Sequence, residues 1–179
     1  MELTSQQALP VPQQIAWDAL NDTAMLQAAI PGCESLTPGE PGHYDVHVTA
    51  AVGPVKAKFK GKLRLEDIVA PTSYTIHFEG QGGAAGHGKG HASVRLESTG
   101  PHATMLHYTA HATVGGKIAQ IGSRLIDMAA QKMATEFFTQ FNAALEAKYG
   151  PAPAAAVAAP PAEGMFARIV AWLKRLVGG

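Results

Sequence analysis

The chain is poor in the residues on which several large classes of protein depend. Cys33 is its only cysteine, so neither an intrachain disulfide nor a four-thiolate zinc site is available, and a reducing compartment fits best. There is no basic excess: 14 lysines and arginines meet 14 acids, without the surplus that nucleic-acid binders carry. The N-terminal stretch MELTSQQALPVPQQ has an acid at position 2 and no apolar core of about 7 to 15 residues, so it does not read as a secretory signal. A cytoplasmic protein is the expectation. Its 179 residues leave room for one domain of about 100 to 150 residues and an appendage.

What is present is a change of hydrophobic period along the chain. LTSQQALP reads as a first strand, after which Pro12 opens a helix carrying Ile15, Trp17, Ala19 and Leu20. Asn21 and Asp22 break it, and a second short helix, Thr23 to Ile30, ends at Pro31 and Gly32. In VKAKFKGKLRLE the residues Val55, Ala57, Phe59, Gly61, Leu63 and Leu65 share one face of a strand. Lys56, Lys58, Lys60, Lys62 and Arg64 share the other. Tyr44, Val46 and Val48 mark an earlier strand, and Tyr74, Ile76 and Phe78 a later one. Ala92, Val94 and Leu96, then Leu106, Tyr108 and Ala110, mark two more, giving a meander of five or six strands separated by glycine- and proline-rich turns. From Lys117 to Tyr149 no proline interrupts a helical pattern of about thirty residues. Ile118, Ile121, Leu125, Met128 and Ala129 form one stripe, and Phe137, Phe138, Phe141 and Leu145 lie rotated from it, so its two halves are expected to face different neighbours.

This order of elements is that of an α+β helix-grip fold, in which a curved antiparallel sheet wraps a long C-terminal helix. Three segments, IPGCE (residues 30–34), VGPVKAKFKGKL (52–63) and GGKIAQIGSRLID (115–127), resemble the CoxG family, named for a carbon monoxide dehydrogenase subunit, within the START-like and Bet v 1-like superfamily. The resemblance covers residues 1–148. It implies a non-catalytic accessory protein of a molybdenum-containing dehydrogenase of the CO dehydrogenase type. Such a protein helps attach the enzyme to the inner face of the cytoplasmic membrane and carries a non-covalent quinone, menaquinone or ubiquinone, or a similar lipid.

The residues themselves agree with a cavity. Gly61, Gly80, Ala110, Ala112, Gly122 and Ala129 are small at positions expected to face inward. Tyr44, Val46, Phe59, Leu63, Ile76, Phe78, Leu106, Tyr108, Ile121, Leu125, Met128 and Met133 would line the space with Gly122 and Ala129, methionine adapting to an irregular ligand. Close packing of helix on sheet accounts for the same small residues. The eight histidines do not suggest a metal site: His43 and His47, like His107 and His111, are four apart on strands, about 13 Å, too far for one ion. His87 and His91 lack a third ligand nearby, and solvated histidines on the polar face are the plain reading. GQGGAAGHGKG leads back into a strand rather than into a helix, unlike a nucleotide loop, and is expected to be a flexible hairpin at the cavity mouth. The stripe Lys56, Lys58, Lys60, Lys62 and Arg64 is either a solvated strand face or a docking surface for an acidic partner.

No nucleophile, base and orienting group assemble from the pattern; Ser123, Arg124 and Asp127 have no histidine beside them. A cyclase-like enzyme using Tyr44, Tyr108 or a histidine as acid or base, and a structural adaptor without ligand, are the alternatives.

Residues 149–163, rich in proline and alanine, read as a linker reaching up to ~50 Å. Residues 164–179 then read as an amphipathic helix. Met165, Phe166, Ile169, Val170, Trp172, Leu173, Leu176 and Val177 form one arc, and Arg168, Lys174 and Arg175 lie in the polar remainder. At about fourteen residues it is shorter than the roughly 20 needed to span hydrocarbon, so the expectation is a helix lying in the membrane interface; packing against its own domain or a partner groove is the alternative.

Overall fold

The computed structural model describes residues 1–150; the linker and tail expectations for residues 151–179 lie outside the described residues. Met1–Lys148 form one compact unit. The chain runs β1 (Glu2–Leu9), α1 (Gln13–Leu20), α2 (Thr23–Ala29), β2 (Cys33–Pro38), β3 (His43–Val52), β4 (Val55–Val69), β5 (Ser73–Gln81), β6 (His87–Gly100), β7 (Ala103–Gly115), α3 (Lys117–Gln120) and α4 (Ser123–Tyr149). Its seven strands are antiparallel in one sheet of order β1-β7-β6-β5-β4-β3-β2. This is the helix-grip architecture.

Three details refine or correct the sequence reading. The meander β2 to β7 takes the upper of the two expected counts, and the strand that no pattern marked is β2, whose register shift between Cys33 and Ser35 blurs its alternation. Gly32 at the head of β2 has φ +71, and a Cβ there would overlap the Thr49 carbonyl oxygen, so only glycine fits. The long C-terminal helix is broken at its start. Gly122, at φ +96, separates α3 from α4 and resets the helical phase.

That reset makes one face of α4 run its whole length. Ile126, Ala129, Ala130, Met133, Phe137, Phe138, Phe141 and Leu145 recur at three- and four-residue spacing against the concave side of the sheet, and along this single stripe the two halves do meet different neighbours: Ile126 to Met133 lie by β3, β4 and α3, Phe137 and Phe138 by α1, α2 and the middle strands. The solid core lies toward the C-terminal end of this stripe. Phe141 and Leu145 are fully buried, with Leu9, Val11, Ala16, Leu96 and Leu106 almost so. Buried Thr104 is satisfied by donating to the Val11 carbonyl at 2.8 Å, and Asn142 donates to the Ala8 carbonyl at 3.2 Å, holding α4 on β1.

Asp22 joins three elements. Its carboxylate caps α2 by accepting from the N–H groups of Ala24 (3.0 Å) and Met25 (3.4 Å), and it pairs with Lys148 near the end of α4 at 3.2 Å. Partial burial raises the Asp22 carboxyl, but the bonds from Lys148, Met25 and Ala24 outweigh that and hold it below the ordinary 3.8. A carboxyl lowered in the folded state stabilises above its ordinary value and loses that contribution as pH falls through the folded value. Asp22→Ala is therefore expected to cost about 1 kcal/mol at neutral pH, by loss of the cap, and the gap from wild type should narrow in urea unfolding as the pH falls below the ordinary 3.8.

Candidate functional site

The inner face of the sheet and α4 border two apolar pockets, a deeper chamber and a larger one open to solvent on one side. The smaller, about 230 Å³, is bounded by α1, α2, the middle strands and α4, and is rich in rings: Tyr44, Tyr74, Tyr108, Phe137 and Phe138. Tyr108 stacks on Phe138 at 5.5 Å, Phe138 meets Phe137 edge-on at 5.0 Å, and Phe137 stacks on Phe141 at 5.4 Å. Trp17 backs Tyr74 edge-on at 5.4 Å. Burial pushes the Tyr74 phenol far up, so it stays neutral throughout the physiological range. The remaining walls, from Leu20 and Leu26 to Ala92 and Val94, are aliphatic, so among the described residues the three tyrosine hydroxyls are the only polar side-chain groups of this chamber.

The larger chamber, about 400 Å³, is mostly aliphatic, with Phe59 and Phe78 among its walls and Glu79, His87, Lys89 and Thr113 also bordering it. Val46, Val48, Val52 and Phe59 line it from β3 and β4, Ile118 from α3, and Ile126, Ala129, Ala130 and Met133 from α4. Ile30 and Leu63 line both chambers and so stand where they meet. The space exists because the sheet is bare there. Gly61 pairs with Gly80, and Gly80 with Gly88, so three adjacent strands present no inward side chain in one row.

Ten of the residues expected to line a cavity do so: Tyr44, Ile76, Leu106 and Tyr108 in the smaller chamber, Val46, Phe59, Phe78, Ala129 and Met133 in the larger, and Leu63 in both. Ile121, Gly122, Leu125 and Met128 do not. The break at Gly122 turns Leu125 and Met128 outward, 42 % and 57 % exposed; a Cβ on Gly122 would meet nothing, and Ile121 lies with Leu125 against Gly53 of the β3–β4 turn. The sequence reading missed Leu20, Leu26, Ile30, Leu36, Leu65, Tyr74, Val94, Phe137 and Phe138 as lining residues. The adjacent phenylalanines were the available signal, since both can face inward only where the helix flanks an open space.

The outer face carries the charge. Lys56, Lys58, Lys60, Lys62 and Arg64 are exposed, as their alternation with half-buried neighbours requires. Lys58 lies 3.5 Å from Glu34, and Arg64 2.7 Å from Glu66. Glu34 is lowered by the hydrogen bond from Thr49 and then by Lys58. Among the described residues no group of three or more His, Cys, Asp or Glu is arranged to hold a metal ion, and no helix is long and apolar enough to cross a membrane.

A curved sheet closed over by one long helix is a frame this chain shares with solved structures. The family model of CoxG, a carbon monoxide dehydrogenase subunit, matches residues 6–146. The chain belongs to the CoxG family. No curated protein sequence matches it. A conserved protein from Geobacillus kaustophilus superposes with a TM-score of 0.77 at 27 % identity, covering 81 % of this chain and 95 % of that one. The Zhui aromatase/cyclase from a Streptomyces species gives 0.60 at 11 %, over 83 % of this chain and 96 % of its own. A START superfamily protein from Mycobacterium smegmatis gives 0.61 at 10 %, over 81 % and 97 %. The last two share the fold alone.

The bare row yields opposite expectations for two glycines of one sheet. A Cβ on Gly80 finds only the Lys60 carbonyl at 3.9 Å, whereas on Gly90 it would collide with the His111 carbonyl and the Phe78 ring. Gly80→Ala should be neutral or stabilise by about 0.5 kcal/mol through the unfolded state, and Gly90→Ala should cost about 1 to 3 kcal/mol, both read by urea unfolding.

Proposed function

We propose that this CoxG-family protein is a non-catalytic carrier that holds an isoprenoid quinone, menaquinone or ubiquinone, with the ring in the aromatic chamber and the tail in the aliphatic one. It serves a molybdenum-containing dehydrogenase of the CO dehydrogenase type at the inner face of the cytoplasmic membrane. The observation that carries the reading is the two-part cavity: flat rings meet Tyr108 and Phe138, and a flexible branched tail meets valines, alanines and Met133. Such a lipid is nearly insoluble in water, and apolar walls in place of bilayer make transfer between membrane and protein close to neutral in free energy. The smaller chamber gives catalysis little to draw on, because it offers no carboxylate, imidazole, amine or thiol among the described residues, whereas Glu79, His87 and Lys89 border only the larger one. Its tyrosines keep a cyclase-like reading in the test as an outcome.

The segment 164–179 supplies the membrane contact in this reading, from its apolar arc and its three cations, each contributing about 1 kcal/mol at an anionic surface. The lysine stripe faces the dehydrogenase. Deleting residues 164–179 should leave a soluble, folded domain that no longer sediments with anionic vesicles; sedimentation equal to that of the full chain would remove the anchor from the proposal.

Native mass spectrometry of the full chain, followed by solvent extraction, tests the carrier. The expected result is one isoprenoid quinone per chain. Gly88→Leu, whose Cβ has only ordinary contacts at 3.6 Å, projects into the larger chamber and should lower occupancy by about tenfold while the fold persists. Wild-type occupancy in a folded Gly88→Leu protein, or turnover of an aromatic substrate that is lost in Tyr108→Phe, would overturn the carrier reading.

A further inference from the structure

The outer face of the sheet carries a row that strand periodicity alone does not reveal. The pairing register brings His43 of β3 beside Arg64 of β4, Arg64 beside His77 of β5, and His77 beside His91 of β6. His91 then lies beside His111 of β7, and His111 beside Glu2 of β1. Six neighbouring strands thus place a titratable or charged group at one level. At about 4.8 Å per strand the line is ~24 Å long. The three central imidazoles adjoin as tilted pairs, with ring centroids 6.0 Å apart between His77 and His91 and 5.1 Å between His91 and His111. His43, Arg64, His77, His91 and His111 line one shallow groove of about 700 Å³, with Lys62, Glu79, Lys89 and Met1, whose ammonium group donates to the Ala112 carbonyl, also on its walls.

We propose that this row is the contact line for the acidic face of a protein partner, which it holds more tightly as its imidazoles take up protons. The inference goes beyond the carrier reading and needs neither the cavity nor its ligand.

The argument begins with carboxylates already present. Glu66 Oε2 lies 3.0 Å from His77 Nε2, and Glu2 Oε2 lies 3.6 Å from His111 Nδ1. His77 and His111, on either side of His91, therefore each have one acid. His91, between them, has ring neighbours on both sides and, among the described residues, no carboxylate partner. Imidazole is the side chain that ordinarily changes charge between about pH 5 and 8. A protonated imidazole attracts a carboxylate laid along the groove more strongly than a neutral one does. Partner binding and proton uptake are then linked, so each favours the other.

The flanking rows identify the partner's chemistry. On one side Asp45, Lys62, Glu79 and Lys89 follow one another across β3 to β6 with alternating sign. On the other, Glu66 is followed by the hydroxyls of Thr75, Ser93, Thr109 and Thr4. A uniform polyanion, such as a nucleic acid or an anionic bilayer, would set its charges against Asp45, Glu79 and Glu66. Neither flanking row has an apolar side chain to enter lipid. A folded protein that offers carboxylates to the imidazole line and cations to Asp45 and Glu79 meets both patterns. The lysine stripe crosses the line at Arg64, so the two form one surface.

The test uses the full chain and two probes: a twelve-residue peptide with a central run of alternating glutamate and serine and a lysine pair at one end to meet Asp45 and Glu79, and vesicles of phosphatidylcholine with phosphatidylglycerol. NMR of the imidazole C–H signals follows each titration. The proposal expects peptide affinity to rise at least about fivefold from about pH 7.5 to 6, with the largest shifts at His77, His91 and His111. In the double variant His77→Gln with His91→Gln the rise should fall below about twofold while the salt dependence set by the lysines persists. The wild-type shifts decide the matter even if that variant does not fold. Affinity independent of pH, shifts confined to the lysine stripe, or shifts of the three histidines on vesicles but not on peptide would each overturn it.

Discussion

One helix has to cover the inner face of a seven-stranded sheet, and most of the structure follows from that mismatch. An α-helix is about 10 Å across, whereas seven strands at about 4.8 Å spacing make a trough far wider. Curvature closes part of the gap, and α1 and α2 close more of it on one side. At the end where α4 offers Phe141 and Leu145, large side chains fill the rest, and Leu9, Val11, Leu96 and Leu106 are sealed from water. At the other end α4 offers Ala129 and Ala130, and the sheet offers Gly61, Gly80 and Gly88. The domain is therefore solid at one end and hollow at the other. An apolar hollow of this size is poor in water partners and suits an apolar guest.

How far this was legible depended on what kind of signal each part writes. The β4 face was readable residue by residue, because strict alternation from Val55 to Leu65 has only one geometric meaning. Strand β2 was not, since its register shift at Cys33 and Ser35 breaks the period over just six residues. The phase of α4 was lost at a single backbone angle: Gly122 reads as one more small residue in a helical pattern, and only its left-handed φ turns Leu125 and Met128 to solvent. Tyr74, Phe137 and Ile30 belong to the site through contacts across the fold, which local pattern does not contain.

The pairing of strands was equally hidden. Four histidines at positions 43, 77, 91 and 111 have no common spacing, and only the antiparallel registers bring them to one level. Hairpin geometry does this cheaply, because turn length fixes which residues meet and one slipped residue would send every side chain to the opposite face. The same registers that align the imidazoles outside align Gly61, Gly80 and Gly88 inside.

Inside and outside are accordingly not independent surfaces. Where the glycines thin the sheet, Leu63, Phe78, Glu79, Lys89, Ala112 and Thr113 border both the larger chamber and the outer groove. A single strand layer separates them. In the carrier reading, a guest in the chamber would bear on β4, β5 and β6 at the level of Gly61, Gly80 and Gly88, and these are the strands that carry Arg64, His77 and His91. Because protein interiors are poorly compressible, strain at that layer would be passed to the charged row on its other side. The two proposed contacts, with an apolar guest and with a partner, would then share the same three strands.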